Sequence, residues 1–463
     1  MLVSLESAKG QANFSITVFS GGRQSFLGFG ESQGDGGWEN MPQPARDQMT
    51  DLVYRDLKVK IFRLWLDSGS EETVDSMTNQ FYLRWIGSRA ISEITRRGAD
   101  LLLLAPARGE SAPKEPIAEY AAKLAEVVLR IKKAWGIEIN GTGLGNEPQG
   151  WQTNQISDGV RYLRTELDKR GLASVKIVAP ESANNDRDFI AKANAIHADS
   201  NAWDGLTGIA SHSYNNAVTA SQESIKRDKQ FWITEASDNG HEDSEDENRA
   251  CTLAARFLND MNHQVEFWVH FIGFMPEADV KNAGDTAAKM MSYDQATSRV
   301  YVWLKYYYFK QLLTTFDQGA VFRKCSSSNR NDMAYSFGEK PEINVAAAVN
   351  PDGTWGIGIV NDTGVPQGKY EGQTIATWSV AANYQVSVVI QELTNAAATR
   401  FEVYRSRANE HFLKSGTLTM KKGMLTVTNL APKELVCLRS IPIVESSATA
   451  ALPPPNRGAN SSK

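Results

Sequence analysis

Two glutamates, Glu147 and Glu235, stand where carboxylates can do chemistry. Each directly follows an apolar stretch, Glu147 within 145–148 (GNEP) and Glu235 within 234–236 (TEA). A carboxylate in such poorly solvated surroundings costs free energy unless it has a partner or a role. Two opposed carboxyl groups about 5–5.5 Å apart can cleave a glycosidic bond with retention, one as nucleophile and the other as acid and then base. This pair is the candidate catalytic centre.

The chain that must position these glutamates alternates short apolar runs with helical patterns. Near-continuous apolar strands separated by helices are typical of a parallel sheet covered on both faces. Eight such units over about 250 residues predict an α/β fold, a (β/α)8 TIM barrel. The predicted strands are 26–31, 59–67, 99–106, 137–146, 174–180, 206–214, 230–236 and 265–272.

The helices between these strands are predicted from apolar residues that recur every three or four positions. A doubly wound sheet is the structural alternative, but residues 28–32 do not open a helix as its Gly-rich phosphate turn would. The predicted helices are 44–57, 72–97, 117–135, 158–170, 185–197, 217–228, 244–262 and 298–316.

The pattern changes after about residue 317, where short strands follow one another without a long helix. Turn sequences such as 350–353 (NPDG) and 421–423 (KKG) separate them. We therefore expect a barrel over 26–316 and a β-sandwich domain over 317–443. The Pro-, Ser- and Ala-rich segment 444–463 is expected to be a disordered tail.

The active site of a barrel lies at the C-terminal ends of its strands. Polar and aromatic residues at the predicted ends are therefore candidates for the same cleft as the two glutamates. These candidates are Arg63 and Asp67 on the second strand, Asn146 on the fourth, His212 and Tyr214 on the sixth, and Trp268 and His270 on the eighth. The tryptophans Trp38, Trp65 and Trp151 are further candidates for stacking on a sugar ring, with core packing as the equal alternative.

Composition excludes several classes of function. The formal net charge of −5 argues against a broad basic surface for nucleic acid. Three cysteines are too few for a disulfide framework, and their spacing matches no zinc motif. No apolar run has the length of a membrane span. We therefore expect no nucleic acid or membrane partner.

The chain resembles the clan A retaining glycoside hydrolases, and within that clan it is most similar to glycoside hydrolase family 30. The resemblance covers roughly residues 13–442. It implies a barrel fused to a small β-sandwich to which the N-terminal segment 1–25 also contributes. The segments that carry it are ITVFSGGRQSFLGFGES, FRLWLDS, GLGNEP, IASHSYN, FWITEAS, KYYYFKQLLTTFDQGAVFRKC and LTVTNLAPKELVCLRS. Two segments depart from the family pattern, 31–38 after the first strand and 105–110 after the third.

The resemblance also implies roles for single residues. Glu235 matches the nucleophile and Glu147 the acid/base, whose pKa we expect burial and the neighbouring charge to raise. Tyr214 matches the aromatic residue that hydrogen-bonds the nucleophile. The other matches are Arg63 beside the nucleophile, Asn146 on the sugar 2-hydroxyl, His212 lining the pocket and Trp268 stacking under the sugar ring.

A metal hydrolase on the same barrel is a rival function. His212, His241 and His270, with Glu235 and Asp67, could form its zinc site, although no carboxylate–histidine pair has ligand spacing. Two further functions stay open, a non-catalytic carbohydrate-binding barrel and a transglycosylase, which would transfer the sugar to another sugar instead of to water.

We expect a monomer that acts outside the cell on an oligo- or polysaccharide of xylan, glucan or galactan type, without metal or organic cofactor. No signal peptide is visible at the start of this sequence. Arg108 is a weak candidate for binding a uronate.

Overall fold

The structure is a computed structural model. It describes residues 12–33, 38, 40–67, 72–106, 109, 111–214, 216–237, 246–271, 273–276, 289–327, 341–365, 369–370, 373–374, 380–396 and 398–442. The predicted tail 444–463, Arg108 and His241 lie outside these residues.

The described strands number from β1 near the N-terminus to β23. In chain order they are β1 Ala12–Val18, β2 Gly28–Gln33, β3 Ile61–Leu66, β4 Leu101–Pro106, β5 Gly141–Thr142, β6 Lys176–Ser182, β7 Gly208–Ser213, β8 Gln230–Ala236, β9 Phe267–Phe271, β10 Phe274–Pro276, β11 Met291–Tyr293, β12 Val300–Val302, β13 Val321–Arg323, β14 Cys325–Ser327, β15 Ile343–Val349, β16 Trp355–Asn361, β17 Lys369–Tyr370, β18 Gln373–Thr374, β19 Tyr384–Ile390, β20 Thr399–Arg407, β21 Glu410–Met420, β22 Met424–Leu430 and β23 Leu435–Ser440.

The described α-helices follow the same order. They are α1 Gln43–Thr50, α2 Val74–Phe81, α3 Ala90–Thr95, α4 Ile117–Trp135, α5 Thr153–Lys169, α6 Arg187–Ala198, α7 Ser200–Gly205, α8 Ala220–Lys226, α9 Asp246–Asn262 and α10 Leu304–Thr315. Two π-helical segments, Asp51–Asp56 and Tyr82–Gly87, extend α1 and α2, and a 3-10 helix covers Gln391–Leu393.

Strands β2 to β9 form a closed parallel barrel, with β9 paired to β2. The predicted α/β barrel is therefore confirmed, and each predicted strand matches one barrel strand. Side chains that point into the barrel form their own apolar cluster below the site, made of Ile61, Leu103, Val178, Ala210, Trp232, Phe267 and Val269. Alternate residues of the same strands point outward and pack under the helices.

Helix α4 shows why the helical predictions succeed where periodicity is strong. Its buried residues recur every three or four positions, and it ends at Gly136, which adopts a left-handed φ of +67°. The patterns over 44–57 and 72–97 differ, because π-helical turns and a break at Arg89 divide them into shorter elements. The pattern over 298–316 is helical only from Leu304.

The remaining large sheets are antiparallel apart from one pairing. One has the strand order β14-β1-β19-β22 and the other β13-β15-β16-β23-β20-β21, and their facing side chains share a single apolar core. Helices α9 and α10 pack against the larger sheet. Strand β1 runs parallel to β19, so the N-terminal segment pairs with strands far along the chain. The exact domain boundaries, 26–316 and 317–443, stay a prediction.

Three sequence features have plain structural outcomes. The cysteines Cys251, Cys325 and Cys437 are buried and free. Among the described helices, none has both the length and the apolar character needed to cross a bilayer. Strand β21 was not predicted from the sequence. Most of its residues, including Leu413, are exposed, so the strand lacks the alternating apolar face that would identify it.

We expect Trp232→Ala to lower the free energy of unfolding by about 3–5 kcal/mol, as for other large-to-small core changes. Trp232 is fully buried in the barrel and stacks on Phe267 with ring centroids 4.0 Å apart. Denaturant unfolding followed by tryptophan fluorescence and circular dichroism measures the change. Leu413→Ala, at a side chain 47% exposed, is the control and should stay within about 0.5 kcal/mol of wild type. Equal stability of both variants would contradict this packing.

Candidate active site

The carboxylate of Glu235 lies at the centre of the barrel mouth because the strand that carries it changes register. The β7–β8 pairing shifts between Ser211 and His212, and the β8–β9 pairing shifts between Ile233 and Ala236. Such bulges redirect side chains at the ends of strands. After the shift His212 pairs with Glu235, which brings these two side chains side by side.

Both oxygens of the Glu235 carboxylate receive a hydrogen bond. Arg63 Nη1 donates to Oε1, and the Tyr214 hydroxyl donates to Oε2 at 2.6 Å. Burial and the charge of Glu235 raise the pKa of Tyr214 well above its ordinary value, so the phenol keeps its proton and remains a donor. Two donors, one of them a cation, therefore fix both oxygens of Glu235.

Glu147 lies across from Glu235, on the loop after β5, the fourth barrel strand. One side-chain oxygen of Glu147, one of Glu235 and a ring nitrogen of His212 all lie within 4.8 Å of one another. His212 Nδ1 is 2.8 Å from Glu147 Oε1 and 3.5 Å from Glu235 Oε2. The Glu147 side chain is 30% exposed, whereas that of Glu235 is buried, so only Glu147 also faces solvent.

The pKa of Glu147 differs from the expectation stated above. Burial raises it, but the hydrogen bond and charge of His212 and the charge of Arg63 outweigh burial and hold the pKa below its ordinary value. The sequence argument counted the negative neighbour and omitted the imidazole that contacts the same carboxylate.

The backbone around Glu147 is held from two sides. Glu147 has a left-handed φ of +52°, and its N–H donates to the carbonyl of Glu181 at 3.1 Å. The buried Lys192 ammonium donates to the carbonyl of Pro148 at 2.6 Å. These bonds fix a strained residue in place, as is common at functional sites.

Arg63 connects three strand ends. Besides Glu235, its guanidinium donates through Nη2 to Asn146 Oδ1 at 2.8 Å and to Glu181 Oε1 at 3.2 Å. Burial lowers the pKa of Arg63, but the charges of Glu235 and Glu181 and their hydrogen bonds raise it above its ordinary value. The buried guanidinium therefore remains charged.

Glu181 is a third carboxylate in the site, and sequence reasoning missed it. It is fully buried, has a φ of +57°, and stands where the β6–β7 register shifts between Pro180 and Ser182. Gly143 makes room for it, because a Cβ there would lie 1.7 Å from Glu181 Oε2. A carboxylate directly after the apolar run 174–180 was the signal that could have identified it.

The end of β7 is fixed from behind by helix α9. Arg256 donates to the Ser213 hydroxyl at 2.9 Å and also to the carbonyl of Tyr214. Asp260, four residues later on the same helix, accepts from the Ser213 hydroxyl at 3.0 Å and from Val218 N–H at 3.1 Å. This fully buried pair holds the backbone that carries Tyr214.

Trp268 is not in the cleft, so the prediction that it stacks under a sugar ring is wrong. Its neighbours Phe267 and Val269 point into the barrel, and Trp268 therefore points outward. It is fully buried, stacks on Phe29 at 5.5 Å, and donates from Nε1 to Asp260 at 3.0 Å. Trp268 supports the helix that holds Tyr214 and does not contact substrate.

Trp38 and Trp151 are also core residues rather than exposed platforms. Trp38 is 1% exposed and packs near Phe62 on the outer face of β3. Trp151 is 3% exposed, packs edge-on against Tyr120 and donates to the carbonyl of Ser111 at 3.0 Å. Core packing is therefore the correct interpretation of both residues.

The aromatic wall of the site consists instead of Trp65, Phe271 and Tyr214. Trp65 and Phe271 are stacked with ring centroids 6.3 Å apart, and Tyr214 meets Phe271 edge-on at 6.4 Å. All three side chains are only partly buried. Because Tyr214 also contacts Glu235, this wall borders the candidate nucleophile.

The residues of the metal hypothesis do not assemble as that hypothesis requires. His270 is fully buried beside Glu31 behind the barrel wall, with Nδ1 to Oε2 at 3.1 Å, and Asp67 pairs with Arg84. Within the described part of the chain, the grouping with ligand spacing is Glu147, His212 and Glu235. The guanidinium of Arg63 contacts Glu235 and would repel a cation there. We interpret the three groups as acid–base groups.

Comparison with known families agrees with this geometry. The sequence model of glycosyl hydrolase family 59 matches residues 105–303, a range that contains Glu147, Glu181, His212 and Glu235. Family 59 belongs to the same clan as family 30, so the predicted clan resemblance is supported, whereas family 30 is not confirmed by sequence. A comparison with curated proteins gives no match.

Solved structures extend the similarity to almost the whole chain. A family 30 subfamily 8 xylanase from Clostridium acetobutylicum is 16% identical with a TM-score of 0.66, over 93% of this chain and 100% of the xylanase. The chain has the fold of a glycoside hydrolase. An endo-β-1,6-glucanase shares this fold, with 16% identity and a TM-score of 0.61 over 92% of this chain and 93% of the glucanase. A family 51 arabinofuranosidase from Xanthomonas axonopodis pv. citri also shares it, with 13% identity and a TM-score of 0.60 over 93% of this chain and 100% of that enzyme.

We expect Gly143→Ala to lower the free energy of unfolding by about 1–3 kcal/mol, because the new methyl group must displace the buried Glu181 carboxyl. Differential scanning fluorimetry and denaturant unfolding measure the loss. Gly87→Ala is the matched control, since its nearest neighbour, the Tyr82 carbonyl, would lie 3.4 Å away. Unchanged stability of Gly143→Ala would contradict the tight contact with Glu181.

Proposed function

We propose that the protein is a retaining β-glycoside hydrolase. The observation that carries the proposal is the spacing of Glu147 and Glu235, whose nearest side-chain oxygens fall within 4.8 Å. Retaining enzymes hold the two carboxyl groups about 5–5.5 Å apart, whereas inverting enzymes need about 6.5–9.5 Å to admit a water molecule. A site this narrow suits direct attack by a carboxylate on the sugar.

Glu235 acts as the nucleophile. Arg63 and Tyr214 donate to its two oxygens and fix their positions, so that a lone pair of the carboxylate can attack the anomeric carbon. The bond from the anomeric carbon to the leaving oxygen breaks, and Glu147 gives its proton to that oxygen. Water then attacks the glycosyl ester, Glu147 takes a proton from the water, and Glu235 is released as carboxylate.

Glu147 must carry a proton when the substrate binds, although its pKa is lowered in the free site. A bound sugar removes water from the exposed part of its side chain, and desolvation raises the pKa of a carboxyl group. We expect the profile of kcat/KM against pH to be bell-shaped, because the proposed reaction needs one carboxyl group with its proton and the other without.

The sugar lies between the two glutamates and the aromatic wall. The side chains of Trp65 and Phe271 offer apolar area to a sugar face. Asn146 accepts from Arg63 through Oδ1, which orients its amide nitrogen as a donor for a sugar hydroxyl. Arg63 and His212 complete the polar side of the pocket.

We propose a β-linked oligo- or polysaccharide of xylan, glucan or galactan type as the substrate, and action by a monomer outside the cell. The xylanase and the glucanase of the same fold support the substrate class. The proposed reaction is performed by amino-acid side chains alone.

Glu235→Gln is expected to lose at least about 1000-fold in turnover, because the amide is a poor nucleophile. Reducing-sugar release from a panel of β-linked polysaccharides measures it, and NMR of the first product tests for the retained β-anomer. Glu93→Gln, at a buried glutamate paired with Arg46 on the outer helices, should keep wild-type turnover. Release that persists in Glu235→Gln, or an α-anomer as first product, would refute the proposal.

Glu147→Ala is expected to lose far more turnover on substrates with poor leaving groups than on activated aryl glycosides. The poor leaving group needs the proton of Glu147, whereas the activated one does not. Added azide should restore turnover of the aryl glycoside, since it replaces the water that Glu147 would activate. Equal losses on both substrates would show that Glu147 is not the acid.

A further inference from the structure

The site contains more carboxyl groups than the proposed reaction uses. Double displacement needs two carboxyl groups, and the structure places a third, Glu181, against the same guanidinium. Glu181 is fully buried, so it does not face the open cleft in which a substrate would bind. Burying a carboxylate is costly unless it is paired, so its presence calls for an explanation.

We propose that Glu181 is a positioning residue, which holds the Arg63 guanidinium in the orientation in which it donates to Glu235. The inference rests on the proposed function of Glu235. Its first support is geometric, because Nη1 of Arg63 donates to Glu235 while Nη2 donates to Glu181 at 3.2 Å. Together these bonds fix the plane of the guanidinium.

The second support is the space that the fold reserves for this carboxyl group. Gly143 leaves room that any Cβ would fill, and Glu181 itself adopts a left-handed φ of +57° at a register shift. Such strain persists only where the surroundings impose it. The backbone of Glu181 also accepts the N–H of Glu147 at 3.1 Å, so one residue connects both candidate catalytic glutamates.

The contacts in the site determine what this arrangement does. Glu235 faces Arg63 from β3, His212 from β7, Tyr214 directly after β7, and Glu147 from the loop after β5. Glu181 of β6 contacts the same guanidinium, and burial raises its pKa although the charge of Arg63 opposes the rise. Without this second acceptor the guanidinium would be free to turn away from Glu235, and a nucleophile whose position is less well fixed attacks more slowly.

Glu181→Ala and Glu181→Gln are the test. Alanine removes the acceptor for Arg63, whereas glutamine keeps the size and the acceptor oxygen. We expect kcat of Glu181→Ala to fall about tenfold or more with KM little changed, because the position of the nucleophile is less well fixed. Glu181→Gln should recover most of kcat.

The orientation of Arg63 is read by NMR of protein labelled with ¹⁵N at arginine, because a guanidinium held at both terminal nitrogens gives separate signals for them. The signals of Arg63 are the ones missing from Arg63→Lys, so the reading does not depend on turnover. Glu93→Gln, which changes another buried glutamate beside an arginine, should leave those signals unchanged. Circular dichroism confirms that each variant is folded, and Glu181→Leu replaces Glu181→Ala if the latter is not.

The outcomes separate the two hypotheses. Separate Arg63 signals in wild type and Glu181→Gln that merge in the variant without the acceptor support the inference. Signals that stay separate in that folded variant overturn it, whatever the activity. If wild type cleaves no glycoside on the panel, the proposed function fails, and the Arg63 signals still decide whether Glu181 holds the guanidinium.

Discussion

The burial of one charged group, the Arg63 guanidinium, determines the geometry of the site. A fully buried guanidinium is tolerated only when its donors are paired with acceptors, ideally charged ones. Here the acceptors come from three other strand ends, through Asn146, Glu181 and Glu235. Pairing the two terminal nitrogens of one arginine therefore fixes the relative positions of the fourth, fifth and seventh barrel strands, from which both candidate catalytic residues come.

Regular strands alone would not bring these acceptors together. Successive side chains of a strand point to opposite faces, so only every second residue enters a barrel. Trp232 packs in the apolar cluster inside the barrel, and Glu235, three residues later on the same strand, nevertheless meets Arg63. The register shifts around Glu181 and Glu235 make this possible. The site is thus made of local departures from the barrel, supported from behind by the Arg256–Asp260 pair.

The sequence predicted the fold and the core of the site for physical reasons that are visible in single elements. Helix α4 follows from its apolar period, and the barrel strands follow from their apolar runs. Bulges and left-handed residues leave no comparable pattern in one sequence, so Glu181 was not predicted. The prediction assigned Trp268 to the correct strand but its side chain to the wrong face. Phe267 and Val269 point into the barrel, so the side chain of Trp268 between them points outward. Six residues predicted from their positions on the barrel strands do lie together in the structure. They are Arg63, Asn146, Glu147, His212, Tyr214 and Glu235.

In the proposed reaction one residue, Glu147, acts first as acid and then as base, and the charge of its neighbour explains how. An ionised Glu235 raises the proton affinity of Glu147; once Glu235 has become an ester, that charge is gone and the affinity falls. His212 lies 2.8 Å from the carboxylate of Glu147 and 3.5 Å from that of Glu235, so it borders both reacting groups. Arg63 and Glu181 take no part in the proposed bond changes, so the change in charge is confined to the groups that react.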